Sequence, residues 1–79
     1  MTSREQRIRA VMAVVFNLPE DRIPADATQG SFESWDSLGH MNLITALEDE
    51  FGVRFPDDAL ESMISIKLIS LALQELGIK

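Results

Sequence analysis

The sequence contains no cysteine among its 79 residues. Without cysteine it can form no disulfide, thiolate metal site or cysteine nucleophile, and this suits the cytoplasm, where we expect the protein to act. Apolar runs are also short, because a charged residue interrupts each one before the roughly 20 residues that a bilayer requires. The N-terminal segment is charged rather than apolar. We therefore expect neither membrane insertion nor a signal peptide.

Basic residues are few. Seven Lys and Arg stand against 13 Asp and Glu, which gives a formal net charge of −6. Such a surface repels nucleic-acid phosphates and anionic lipids, so we expect neither as a ligand. It should instead attract basic patches on partner proteins.

What is present has the composition of a small globular domain, with 46% hydrophobic and 25% charged residues. We treat residues 1–79 as one domain and expect a monomer. A chain of this length buries only roughly 60% of the surface that its unfolded form exposes, so its core is modest.

The first helix is predicted from about residue 4 to residue 16. Ser3 and Gln6 fit a capping box at its start, and Asn17 and Pro19 end it. Apolar residues recur between them at helical spacing, namely Ile8, Val11, Met12 and Val15. Residues 18–35 then show no sustained period and predict a long loop with a short helical turn. We expect Ile23 and Phe32 to pin this loop to the core.

Two further helices are predicted near the C-terminus. Asp57 or Asp58 can cap a brief third helix that runs through about Met63. Ser65 can cap a fourth helix, which is apolar on most sides before Gly77 and is therefore expected to pack centrally. The sequence thus predicts an all-α fold, a small four-helix bundle with a long loop between its first and second helices.

The second helix is predicted over Asp36–Phe51 and is ended by Gly52. At 100° per residue its core stripe is Leu43, Ile44, Leu47 and Phe51. The opposite side holds Leu38, Met41, Asn42, Thr45, Glu48 and Asp49, which we call the docking face. Two interpretations stay open: either the exposed apolar residues are ordinary and the loop covers Leu38, or this side binds a basic partner.

The start of this helix holds three notable side chains. Ser37 follows Asp36 and is either a helix cap or a hydroxyl suited to a phosphodiester, because a helix N-terminus stabilises negative charge. Trp35 and His40 occupy the positions of a hydrophobic staple. We interpret His40 as a packed or loop-bonded histidine rather than a base or ligand.

These residues resemble the acyl carrier proteins. The matching segments are Trp-Asp-Ser-Leu-Gly-His-Met at 35–41, Ala-Leu-Glu-Asp-Glu-Phe-Gly-Val at 46–53 and Phe55-Pro56, within a similarity that covers Asp36 to about Leu76. The resemblance implies a covalent 4′-phosphopantetheine on Ser37, installed from coenzyme A by a phosphopantetheinyl transferase. Asp36 matches the acid that helps to present the serine to that transferase and its metal. The arm would carry acyl groups as thioesters to acyl-transferring or acyl-modifying enzymes with basic docking patches.

The resemblance also assigns surfaces. Leu38, Met41, Glu48 and Asp49 match the family's partner-docking positions, and no residue is expected to be catalytic or to bind a metal. A sheltered acyl chain could be lined by five residues, for which plain core packing is the simpler interpretation: Leu47, Phe51, Ile64, Ile66 and Leu71. Gly39 and Asn42 stand where the fatty-acid-synthesis pattern is commonly acidic, which makes the docking face less negative near the arm, and Thr45 stands where a larger apolar residue is common. We take this as a hint of a specialised pathway, such as polyketide, modified-lipid or other secondary-metabolite assembly, while fatty-acid biosynthesis stays open as an alternative.

Three rival functions remain to be weighed. A hydrolase could use Ser37 and His40, but the sequence has no G-x-S-x-G elbow. A calcium-binding loop comes no closer than Asp26 and Gly30. The more serious alternative is a helical interaction domain of carrier-like fold that never receives the arm.

Overall fold

The computed structural model describes residues 3–78, so residues 1, 2 and 79, at the two ends of the expected domain, lie outside the described part. Within it the chain forms four α-helices: α1 (Arg4–Phe16), α2 (Ser37–Phe51), α3 (Asp57–Leu60) and α4 (Ile66–Glu75). A 3-10 turn at Glu20–Arg22 interrupts the long loop. The predicted all-α bundle is confirmed, and the extended pairing recorded over residues 3–78 is one isolated bridge between Thr28 and Ser65.

Helix α1 begins and ends where its sequence predicts. Ser3 Oγ accepts a hydrogen bond from the Gln6 amide at 3.0 Å, and Gln6 Oε1 accepts one from the Ser3 amide at 3.1 Å. This reciprocal pair satisfies two of the amides that a helix start leaves free. At the other end Asn17 adopts the left-handed conformation, which asparagine tolerates better than most residues.

The loop between α1 and α2 is packed onto the bundle. Ile23 and Trp35 are fully buried, and Phe32 packs against the core from a half-buried position. Arg9 of α1 donates from Nε to the Ile23 carbonyl at 3.0 Å. The expectation that Ile23 and Phe32 hold the loop is confirmed, and this fixed loop sets the position of the α2 start.

The start of α3 differs from the prediction. Neither Asp57 nor Asp58 is the cap, because Pro56 occupies that position and makes no side-chain cap bond. Proline fixes its own φ near the value that precedes a helix, and its carbonyl accepts the Ala59 amide at 3.0 Å. Both aspartates therefore lie in the first turn, where their charges favour the positive end of the helix.

The end of α3 is also earlier than expected, at Leu60 rather than Met63. The amides of Ser62 and Met63 both donate to the Ala59 carbonyl, and Ser62 Oγ donates to the same oxygen at 2.9 Å. The Glu61 amide is directed to this carbonyl as well. Because the Ser62 hydroxyl competes with these amides for one acceptor, the helix does not continue past Leu60.

Helix α4 begins at the predicted cap, but it is less buried than the sequence predicts. Ser65 Oγ accepts from the Leu68 amide at 3.1 Å. One side of α4 is buried through Ile66, Ile69, Ser70 and Leu73. Leu68, Leu71 and Leu76 are partly exposed, so the expectation of a centrally packed helix was wrong. The core instead lies between α1, α2 and one side of α4, closed by the loop.

Candidate functional site at the start of α2

The candidate site is the first turn of α2. Its cap is Asp36, whose Oδ1 accepts the Gly39 amide at 2.8 Å. Ser37 is the next residue, the first of the helix, and it is exposed. Because Asp36 already serves as the cap, the Ser37 hydroxyl is not needed for capping. The remaining amides of this turn and the positive end of the helix dipole favour negative charge bonded at that hydroxyl.

Trp35 and His40 form a clamp beneath this turn. The indole N–H of Trp35 donates to His40 Nδ1 at 3.0 Å, and the rings stack with centroids 6.2 Å apart. Indole can only donate, so Nδ1 is the acceptor and the proton lies on Nε2. His40 Nε2 then donates to the Leu60 carbonyl at 3.1 Å. The predicted staple is confirmed, with a hydrogen bond added to its packing.

This clamp also decides against the hydrolase. A general base for Ser37 needs a ring nitrogen that can accept the serine proton. Both nitrogens of His40 are already engaged, one by Trp35 and the other by Leu60, and the ring is buried. His40 therefore holds the loop, α2 and the end of α3 together, as a packed and loop-bonded histidine.

Gly39 allows the loop to approach α2 closely. A Cβ at this position would overlap the carbonyl oxygen of Ser34 and lie 3.1 Å from Cε1 of Phe16. The sequence had pointed to Gly39 only as a departure from the family pattern. A glycine in a first turn costs about 1 kcal/mol relative to alanine, and that cost was the available signal of a close contact.

An aromatic cluster supports the same loop. The Phe32 ring lies 5.4 Å from that of Phe16 and 5.8 Å from that of Trp35, centroid to centroid. Phe16 and Trp35 are 6.1 Å apart. These separations fall in the range of favourable aromatic pairs. The three rings lock the residues just before Ser37 against the C-terminal end of α1.

Most of the docking face is open to solvent. Leu38 is 71% exposed and Met41 52% exposed, so the loop does not cover Leu38. Three polar positions share this exposure: Asn42, Thr45 and Asp49. The side of α2 predicted to face solvent therefore presents two apolar side chains close to Ser37.

Glu48 differs from the other members of the docking face. It is only half-exposed, and its Oε2 accepts the Phe55 amide at 2.9 Å. Phe55 is itself buried. The Glu48 carboxylate therefore closes the link between α2 and α3, a structural role that the sequence did not reveal.

Comparison with known proteins agrees with this geometry. Residues 6–73 match the family described as "Phosphopantetheine attachment site". The acyl carrier protein of Beutenbergia cavernae is 34% identical over 70 residues, which cover 84% of this chain and 85% of that protein. The chain belongs to the acyl carrier protein family.

The cofactor of this acyl carrier protein is covalently attached 4′-phosphopantetheine. The first turn of α2 fits such a group, because it offers an exposed hydroxyl beside free helix amides.

No group of three or more His, Cys, Asp or Glu that could hold a metal occurs within residues 3–78. No helix in that same range is long and apolar enough to cross a membrane.

The five residues considered for an acyl pocket do not share one environment. Leu47, Phe51 and Ile66 are buried in the core, where packing accounts for them. Ile64 and Leu71 are nearly half exposed. None of the five lines the open groove that the carrier has between α1 and α2.

Proposed function

We propose that Ser37 bears the 4′-phosphopantetheine arm and that the protein delivers acyl groups, held on that arm as thioesters, to partner enzymes. The observation that carries the proposal is the exposed Ser37 hydroxyl in the first turn of α2, next to a cap supplied by Asp36. In this role Asp36 fixes the turn that presents Ser37 to a phosphopantetheinyl transferase.

The other serines support this choice by their own contacts. The chain has seven serines. The hydroxyls of five are engaged in hydrogen bonds, namely Ser3, Ser31, Ser62, Ser65 and Ser70. Of the other two, Ser34 lies in the loop and only Ser37 lies in the first turn of a helix. Ser3 and Ser65 also lie at helix starts, but their hydroxyls serve as caps. Among the serines of residues 3–78, Ser37 therefore combines a hydroxyl outside these hydrogen bonds with helix amides that can stabilise a phosphodiester.

The carrier needs no catalytic group of its own for this function. A tethered acyl group reaches a partner's active site at high effective concentration. The chain's contribution is to bind the partner, and we assign that task to the exposed members of the docking face. Leu38 and Met41 supply an apolar contact next to the arm, and Asp49 supplies charge for a basic patch. Glu48 lies at the edge of this surface, tied to Phe55.

We further propose partners in polyketide or another specialised pathway rather than in fatty-acid biosynthesis. Asn42 and Thr45 support this, because they are exposed and uncharged beside the arm. Gly39 does not bear on the choice, because its contact with Ser34 excludes any side chain there. The cytoplasmic location and the monomeric state expected from the sequence stay predictions.

The test is the intact mass of the protein after incubation with coenzyme A and a broad-specificity phosphopantetheinyl transferase. We expect the wild type and the matched control Ser34→Ala to gain one phosphopantetheine, and Ser37→Ala to gain none while keeping its helical circular dichroism. Modification of Ser37→Ala would refute the assignment. Failure of wild-type apo protein with the host's own transferase would favour the unmodified interaction domain.

A further inference from the structure

The side of the molecule between α1 and α2 carries an open groove of about 750 Å³. Its walls are aliphatic, and a rim of mostly charged residues surrounds them. The wall residues are Ala10, Val11, Val14, Val15 and Ala46. The rim residues are Gln6, Arg7, Glu20, Asp49 and Glu50.

Small side chains open this groove. Ala10 of α1 and Ala46 of α2 both line it, and neither is long enough to fill the space between the two helices. Val14 is 82% exposed, the highest value among the large hydrophobic residues described. A single exposed aliphatic residue is ordinary, but one gathered with four others in a concavity is typical of a binding surface.

The charged residues at the rim of the groove determine which kind of ligand it favours. Three carboxylates, those of Glu20, Asp49 and Glu50, face one guanidinium. That guanidinium belongs to Arg7, which pairs with Glu50 at 3.6 Å and lies 4.3 Å above the Phe51 ring centroid. Arg7 is thus partly neutralised by its own neighbours, and the groove favours a ligand that is both apolar and cationic.

Two occupants from the protein itself fit poorly. A second copy docked symmetrically would place the same acidic rims against each other, on chains that each carry a net charge of −6. An acyl chain attached through Ser37 would start on the side of α2 that faces away from the groove. Ser37 and Ala46 are nine residues apart, which at 100° per residue places them on opposite sides of the helix.

We propose that this groove binds a basic amphipathic helix of a partner protein. Its aliphatic side would contact Val14 and Ala46, while Lys or Arg side chains reach Glu20 and Asp49. The groove follows residues 6–15 of α1, a length of about 15 Å, which suits a few turns of a helix laid between two others. Asp49 belongs to both the groove rim and the docking face, so one partner can span both surfaces.

This binding does not depend on the arm, so it is tested on the full chain carrying Ser37→Ala. The probe is a synthetic helical peptide of about 18 residues, with leucines along one side and lysines along the other. A scrambled peptide of the same composition is the control for charge alone. The amide chemical shifts of the labelled protein report where the peptide binds, and their titration gives the Kd.

We expect the shifts to centre on α1 residues 10–15 and α2 residues 46–50. Val14→Lys should weaken binding roughly tenfold, from lost aliphatic burial and added repulsion. The matched control is Leu68→Lys, the same change at an exposed aliphatic residue of α4 that belongs to neither the groove nor the docking face, and it should change the Kd less than about twofold.

Several outcomes would overturn the proposal. Equal effects of the two lysine variants, equal binding of the scrambled peptide, or shifts centred on Leu38 and Met41 would each place the interaction outside the groove. Self-association of the wild type that Val14→Lys abolishes would assign the groove to a second copy. Groove shifts on loading an octanoyl group onto otherwise wild-type carrier would assign it to the carrier's own cargo.

Discussion

The indole of Trp35 donates a hydrogen bond to His40 Nδ1 at 3.0 Å, and both side chains are buried. The bond joins the last residues of the loop to the second turn of α2 across the capping residue Asp36. Ser37 lies between the two partners in sequence and remains exposed. The clamp therefore fixes the backbone at both sides of the proposed modification site without covering it.

Trp35→Phe should lower the free energy of unfolding by about 2–4 kcal/mol, because it shrinks a buried side chain and leaves His40 Nδ1 without its donor. Urea denaturation measures this change. A double-mutant cycle with His40→Phe isolates the hydrogen bond, and we expect a coupling energy of about 1 kcal/mol or more. Strictly additive changes would contradict the clamp.

Gly39→Ala should destabilise the protein by about 1–3 kcal/mol, although alanine is the better helix former by about 1 kcal/mol. The reason is that the new Cβ overlaps the Ser34 carbonyl, so the loop must move away from α2. Urea denaturation again gives the change. Thr45→Ala, on the exposed side of the same helix, is the control and should stay within about 0.5 kcal/mol. A stabilised Gly39→Ala would mean that the loop is free to move.

Most features that the sequence predicted correctly depend on interactions between residues close together in the chain. The Ser3–Gln6 capping box and the helix ends at Asn17 and Gly52 depend on neighbours within a few residues, and all three are observed. Helical periodicity placed Leu38 and Met41 opposite the core stripe, and the structure then showed that the loop leaves both exposed. Such features need no knowledge of the tertiary fold.

What the sequence did not reveal depends on contacts between segments. The bond from Phe55 to Glu48 forms only after the chain has turned at Gly52, and no periodicity encodes it. The groove is lined by Ala10 and Ala46 from two neighbouring helices, a juxtaposition that a single helical wheel cannot show. The early end of α3 reflects competition at one carbonyl, that of Ala59, which propensities do not resolve.

Two adjacent residues at the start of α2 have different roles: Asp36 caps the helix, and Ser37 presents an exposed hydroxyl. Asp36→Ala should cost about 1 kcal/mol of stability, because it removes the acceptor of the Gly39 amide. Ser37→Ala should change stability by less than about 0.5 kcal/mol, since the hydroxyl is exposed and is not the cap. Thermal or urea unfolding of the two variants provides the comparison. A large loss in Ser37→Ala would make that hydroxyl structural and would weaken its assignment as the arm's attachment point.

Glu48 and Asp49 are adjacent acids with different predicted roles. Glu48→Ala should lower the free energy of unfolding by about 1.5 kcal/mol, because the partly buried amide of Phe55 loses a charged acceptor. Asp49→Ala should change it by less than about 0.5 kcal/mol, because this carboxylate is exposed. Urea denaturation separates the two.

The rate of acyl transfer to a partner enzyme should depend more on Asp49 than on Glu48, the opposite of their effects on stability. We expect Asp49→Lys to slow acyl transfer to a basic partner several-fold at low salt, and high salt to reduce the difference, because exposed charges act mainly through steering. Glu48→Gln, which keeps the side-chain length and an acceptor for Phe55, should transfer at close to the wild-type rate. If Glu48→Gln slowed transfer as much as Asp49→Lys while remaining stable, Glu48 would belong to the contact surface as well as to the α2–α3 link.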